Sequence, residues 1–228
     1  MSSFSDIAYT IAIWIVPVLL AITLHEAAHG WVACMLGDPT AKKLGRISIN
    51  PLRHVDPMGT IIIPLMMILT IGVAFGAAKP VPVNPRYFKK PHIDMALVAL
   101  AGPVSNFVMA IFWALLITAS TYFMPRSSYA TILEHVGQAG VAINLILIAL
   151  NMLPIPPLDG SKILVGVMPI SWANKFVHFE RYGFFLLIGL IVMEVAMNIP
   201  VFSGLLLMLV KPFMQFFETV FNFQGIYF

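Results

Sequence analysis

The stretch from Ile7 to Gly30 reads "IAYTIAIWIVPVLLAITLHEAAHG". Residues Ile7 to Leu24 carry no charge, and two histidines and a glutamate follow at once. A membrane span needs about 20 mainly apolar residues. The segment, read as Ile7 to about Met35, therefore predicts a transmembrane helix with its most hydrophilic chemistry in its second half. Polar and ionisable groups are costly at that depth unless they are paired or used.

The rest of the chain supports the same environment. Of 228 residues, 60% are hydrophobic and 10% charged, and the mean hydropathy is +0.92. A soluble domain carries roughly a quarter charged residues. The composition implies a multi-pass, all-α membrane protein in contact with the lipid bilayer, forming one domain over residues 1–228 with no appended soluble module. The net charge of +3 lies in short loops, where it reports membrane sidedness rather than a nucleic-acid surface. A single cysteine, Cys34, excludes an intrachain disulfide framework and reads as a small buried hydrophobe. No Lys or Arg precedes Lys42, so Ile7 onward reads as a retained span rather than a cleaved signal.

Five to six hydrophobic segments are expected. After the first come Met58 to Ala78, Met95 to Met124, Val136 to Leu158, Tyr182 to about Asn198, and Val201 to about Phe223, the last interrupted by Lys211-Pro212. Basic residues gather in regions 38–57, 79–94 and 159–181, which the positive-inside rule makes cytoplasmic, leaving the N-terminus external. Both neighbours of Met58–Ala78 then lie on one side. That segment, broken by Pro64, Gly72 and Gly76, is expected to be re-entrant, with extended chain near it; the alternative is that it crosses and that 79–94 folds back into the membrane. Glu194 and Lys211 read as interfacial or snorkelling groups, and His54 as structural.

His25 and His29 are spaced i, i+4, so on a helix their imidazoles share one face and reach one ion. Glu26 is too close in sequence to ligate beside both but can act on a water: the His-Glu-x-x-His logic of two metal ligands plus a general base. The plainer alternative is a helix histidine pair that only hydrogen-bonds, and an apolar helix makes such an idle cluster costly. One zinc ion then needs a third protein ligand and an open position. The other histidines, His54, His92, His135 and His178, sit in or beside loops. Asp159 ends "NMLPIPPLDG" (151–160), where three prolines and a glycine break a span. It is a candidate ligand or a simple loop aspartate at the membrane face. Sidedness brings it to the cytoplasmic half, where His25 and His29 lie.

Five stretches resemble the site-2 protease family of intramembrane zinc metalloproteases. "HEAAH" (25–29) resembles its zinc-binding helix and "NMLPIPPLDG" its second signature. "AGPVSN" (101–106) resembles a Gly-Pro-x-x-Asn element, and "NPLRHVDPMGT" (50–60) with "AKPVPVNP" (78–85) resembles the small bacterial branch that lacks PDZ and CBS domains. The resemblance implies a bacterial inner or plasma membrane enzyme with a catalytic core over about 7–160. It also implies that Asp159 is the third ligand, and gives Asn106 and Asn151 a role, read here as positioning the substrate carbonyl or an oxyanion. The expected activity is hydrolysis of peptide bonds in transmembrane segments of other proteins, as in regulated intramembrane proteolysis. Glu26 is the expected base, and the helices at about 180–223 the expected gate. The rival readings are a membrane metal-ion transporter and a non-proteolytic scaffold. Substrate, trigger and oligomeric state are not written in the sequence.

Overall fold

A computed structural model describes residues 4–54, 56, 58, 62, 66, 79–124 and 127–221. Among these residues seven α-helices run in the order α1 (Phe4–Met35), α2 (Thr40–Lys43), α3 (Pro91–Phe123), α4 (Ser128–Met152), α5 (Asp159–Val167), α6 (Ile170–Met197) and α7 (Phe202–Phe221). No strand occurs among the described residues. Five helices (α1, α3, α4, α6 and α7) are long and apolar enough to cross a membrane, as the composition requires. The chain is an all-α membrane protein.

The central helices are antiparallel. Ala21 and His25 of α1 meet Asn106 of α3, while His29 meets Val98 further back along it. Asn106 in turn meets Asn144 of α4, and Trp113 and Ile117 of α3 lie over Gly140 and Gly137 of α4. Helices in lipid gain no hydrophobic drive from each other and associate through small residues and close packing. That is the pattern here: Ala110, Ala114, Ala142 and Ala149 line the core with Trp113, Ile117, Leu145 and Ile148, and α7 contributes Val210 and Phe217. The C-terminal end of α1, the start of α3 and the end of α4 thus fall on one side of the bundle.

Helix boundaries differ from the apolar runs for a physical reason. Helix α3 begins at Pro91, four residues before the expected span, and its 33 residues make about 50 Å against a hydrocarbon core of about 30 Å. Helix α4 starts at Ser128, capped by the Ser127 hydroxyl, and stops at Met152. Helix α6 starts twelve residues before Tyr182 and takes in Lys175, Glu180 and Arg181. Hydropathy sees only the part in lipid, whereas the backbone continues helical into the interface. Lys211-Pro212 does not interrupt the last helix, which runs unbroken from Phe202 to Phe221. Residues Asn198-Ile199-Pro200 separate α6 from α7, with Asn198 left-handed at φ 53°.

Almost all of Met58–Ala78, and with it the expected re-entrant course, lies outside the described residues. Its flanks are described: the Lys79 N–H donates to the His54 carbonyl at 2.9 Å. Residues 54 and 79 therefore meet on the same side of the bundle. Residues 79–84 then run without regular structure, and Pro80, Val81 and Val83 line the cavity described next.

Candidate metal centre

On α1, His25 and His29 lie one turn apart with their rings perpendicular and 4.6 Å between centroids. Both are buried in the bundle. Their Nε2 atoms stand 3.1 Å apart, and each is 3.2 Å from Oδ2 of Asp159. The Nδ1 atoms point the other way, onto α3. His29 Nδ1–H donates to the Val98 carbonyl at 2.7 Å, and His25 Nδ1–H to the Asn106 side-chain oxygen at 2.6 Å. With the ring protons placed there, both Nε2 atoms present lone pairs.

Three electron-pair donors therefore converge. They are the one group of three or more His, Cys, Asp or Glu side chains among the described residues arranged to hold an ion. A single proton can relieve one contact of the three; one cation satisfies all of them. Two imidazoles and a carboxylate suit a divalent transition ion. A tetrahedral ion with bonds of about 2.0–2.1 Å separates its ligands by about 3.3–3.4 Å, close to the spacing here. The donor set fits zinc.

Asp159 reaches the pair because the chain turns sharply after α4. Gly160 packs on the carbonyls of Met152 and Leu153, where an added Cβ would come within 2.4–2.5 Å. Only glycine permits that approach. Asp159 is not a loop residue, as the proline run suggested, but opens α5, where a carboxylate complements the helix dipole. Its second oxygen, Oδ1, faces the Lys162 ammonium at 3.5 Å, so Oδ2 is the oxygen left for the histidines.

The three donors line a cavity of about 500 Å³ together with Glu26, Val81, Asn151, Lys162 and Leu187. Glu26 Oε2 accepts the Val81 N–H at 2.9 Å. Asn151 donates one amide hydrogen to the Leu147 carbonyl and keeps its place on the wall. Asn106 differs from expectation. It is fully buried, does not line the cavity, and sits behind His25 with its amide engaged by His25, Ala21 and Asn144. Its position is that of a residue supporting a ligand, not of one facing substrate. His54 stays out of the cluster, with Nε2–H donating to the Ser48 carbonyl. Glu194 accepts the Ser203 N–H at the start of α7.

The relatives carry the same chemistry in their names. "Putative zinc metalloprotease YwhC" of Bacillus subtilis is 41% identical over 180 residues, covering 78% of this chain and 79% of that protein. The chain belongs to the family of YwhC. "Putative zinc metalloprotease Rip2" of Mycolicibacterium smegmatis is 27% identical over 177 residues, 76% of this chain and 64% of that protein. "Putative zinc metalloprotease MJ0611" of Methanocaldococcus jannaschii is 34% identical over 113 residues, 50% of this chain and 54% of that one. No family model and no solved structure matches the chain. The relatives agree with the small site-2-protease-like family that the motifs resemble.

Four features of the site in this member of the YwhC family were not anticipated from the sequence. Gly102 lies so close that an added Cβ would stand 2.4 Å from His25 Cε1 and 2.6 Å from His29 Cε1. Val98 and Asn144 act through a carbonyl and through a second amide, and Lys162 through Asp159. The spacing Val98, Gly102, Asn106, four residues apiece, is one face of a helix and was the signal available.

Proposed function

We propose that the protein is an intramembrane zinc metalloprotease that hydrolyses peptide bonds within transmembrane segments of other membrane proteins. The observation that carries the reading is the convergence of His25 Nε2, His29 Nε2 and Asp159 Oδ2 beside Glu26 in one cavity among helices fit to span a membrane. The names of the relatives support metalloprotease chemistry, and the burial of the site supports a membrane-embedded substrate.

His25, His29 and Asp159 would hold the zinc ion. Bound there, it supplies Lewis acidity, lowering the pKa of water and polarising a carbonyl. Glu26 takes a proton from the attacking water at its carboxylate and delivers it to the leaving nitrogen. The C–N bond breaks as the water oxygen joins the carbonyl carbon, giving one acid and one amine and returning Glu26 to its starting state. The Val81 N–H holds Glu26 at the cavity edge. Asn151 has a second amide hydrogen to offer the substrate carbonyl. Basic residues Lys42, Lys43, Lys89 and Lys90 flank the site-proximal ends of α1 and α3, which supports a cytoplasmic-side site in the cell membrane.

The test is Glu26→Gln in the purified full-length chain. It is expected to retain about one zinc per chain and to lose at least 100-fold in cleavage of a transmembrane reporter. Undiminished cleavage would remove Glu26 from the role of base, and full zinc occupancy in His25→Ala would remove His25 from the ligand set.

A further inference from the structure

Asn106 and Asn144 form a pair of amides buried between α1, α3 and α4, both at 0% exposure. A side-chain amide can face either way, and its hydrogen-bond partners decide. Asn144 puts one end 2.7 Å from the Gly140 carbonyl. A carbonyl only accepts, so that end is the NH2, and the Asn144 oxygen points at Asn106. Asn106 meets that oxygen at 2.8 Å and the Ala21 carbonyl at 3.3 Å with a single atom. Both partners accept there, so this atom is the Asn106 nitrogen, and its two hydrogens are both used. The remaining end of Asn106, 2.6 Å from His25 Nδ1, must be oxygen.

Two backbone carbonyls thus fix the sense of two amides, and the second amide fixes a histidine. An oxygen at His25 Nδ1 requires the ring proton to sit there. Were Asn106 turned over, its NH2 would face Nδ1, the proton would move to Nε2, and His25 would point an N–H at His29 and Asp159. We infer that Asn106, held in its orientation by Asn144, is a positioning residue that sets the ring tautomer of His25 and so keeps its Nε2 available as a metal ligand. His29 gets the same setting from a main-chain carbonyl, Val98, which no side-chain substitution removes. His25 depends on a side chain, so its tautomer is the one that mutation can release. The inference rests on reading His25, His29 and Asp159 as a metal centre.

The test compares full-length wild type with Asn106→Leu, Asn106→Asp, Asn144→Leu and His25→Ala in detergent. Two readouts are taken: zinc affinity by chelator competition, and the imidazole nitrogen signals of metal-free protein, assigned through His25→Ala. Outer partners of metal-bound histidines commonly alter affinity by about 10–100-fold. Asn106→Leu removes the acceptor and is expected to weaken zinc by that factor and to shift His25 toward the Nε2–H form. Asn106→Asp keeps an oxygen at Nδ1 and is expected to keep the His25 ring protonated there, although it loses the donors to Asn144 and Ala21. Asn144→Leu frees the Asn106 amide to turn and is expected to fall between Asn106→Leu and wild type in zinc affinity. Wild-type affinity together with an Nδ1–H ring in Asn106→Leu overturns the inference. If Asn106→Leu does not fold, the ring signals of the aspartate variant decide: a folded Asn106→Asp with His25 in the Nε2–H form overturns the inference, and a ring protonated at Nδ1 supports it. Full zinc affinity in His25→Ala would instead sink the metal-centre reading itself, whatever the asparagine variants do.

Discussion

At the scale of single residues, the centre depends as much on absent atoms as on ligands. Gly102 faces both imidazoles from α3, and a methyl group there would lie 2.4 Å from a ring carbon of His25 and 2.6 Å from one of His29. Contacts under 3.0 Å to rigid rings force a shift, and the rings have little freedom because each is tied to α3 through Nδ1. Gly102→Ala is expected to weaken zinc at least tenfold by spreading the Nε2 atoms, with helicity preserved; equilibrium metal competition on the purified variant measures it, and unchanged affinity would show that α3 can back away. The candidate ligand pair was legible because helix geometry is local: an i, i+4 histidine pair shares a face in any helix. Asp159 was half-legible, since nothing local says whether an aspartate after a proline run turns inward. Gly102, Asn144 and Lys162 were not legible as site residues. Their roles depend on distances between elements far apart in sequence, which no periodicity encodes. Asn106 was noticed for its motif, but its place behind His25 depends on how α3 packs against α1.

At the scale of elements, the segment 79–84 is tied to the end of α1 by three side chains. Glu26 accepts the Val81 N–H, Asp38 the Asn84 N–H, and the Arg46 guanidinium donates to the Lys79 carbonyl at 2.7 Å. Asp38 also accepts from the hydroxyl and the N–H of Thr40. Burial by itself would raise the Asp38 carboxyl, but the hydrogen bonds from Thr40 and Asn84 outweigh it and hold the group below the usual carboxylate range. A carboxyl lowered in the folded state stabilises fully above its unfolded value of about 3.9 and loses that contribution as pH falls through the lowered folded value. The anchor of 79–84 is therefore expected to hold at neutral pH and to loosen below about pH 4. Asp38→Asn should loosen it already at pH 7, with amide exchange at Asn84 at least about tenfold faster, since hydrogen bonds to charged acceptors exceed neutral ones. Exchange at Asn84 that is indifferent to the substitution would show that Glu26 and Arg46 suffice. "AKPVPVNP" reads as extended from its prolines alone. Its attachment to Glu26 does not, because the donor is a backbone N–H that every residue but proline carries.

At the scale of the whole molecule, the positions of the five described spans were legible because the bilayer imposes one length and one polarity on every crossing element. The helical charged turns at the start of α6 were not, since nothing apolar marks them. What the assembled helices add is the cavity. Its inner walls are α1, α3 and α4, packed through alanine and glycine, whereas Phe184 and Leu187 of α6 close the outer side. Helix α6 buries only Ala173, Gly183, Leu187 and Ile191 of its 28 residues, so moving it disturbs little of the core. The cavity holds about 500 Å³, and on the proposed function either a short unwound stretch of a transmembrane substrate enters it or α6 yields. Leu187, 1% exposed, stands on the α6 wall of that cavity. Leu187→Trp is expected to fill the passage, cutting cleavage of a transmembrane reporter at least tenfold while zinc content stays at the wild-type level, because no ligand or ligand support lies on α6. A helix-breaking residue placed at the reporter's scissile region should recover part of that loss by reducing the space the substrate needs. Wild-type cleavage by Leu187→Trp would show that substrate reaches Glu26 by another side, with residues 80–83 and 157–162 as the other described walls.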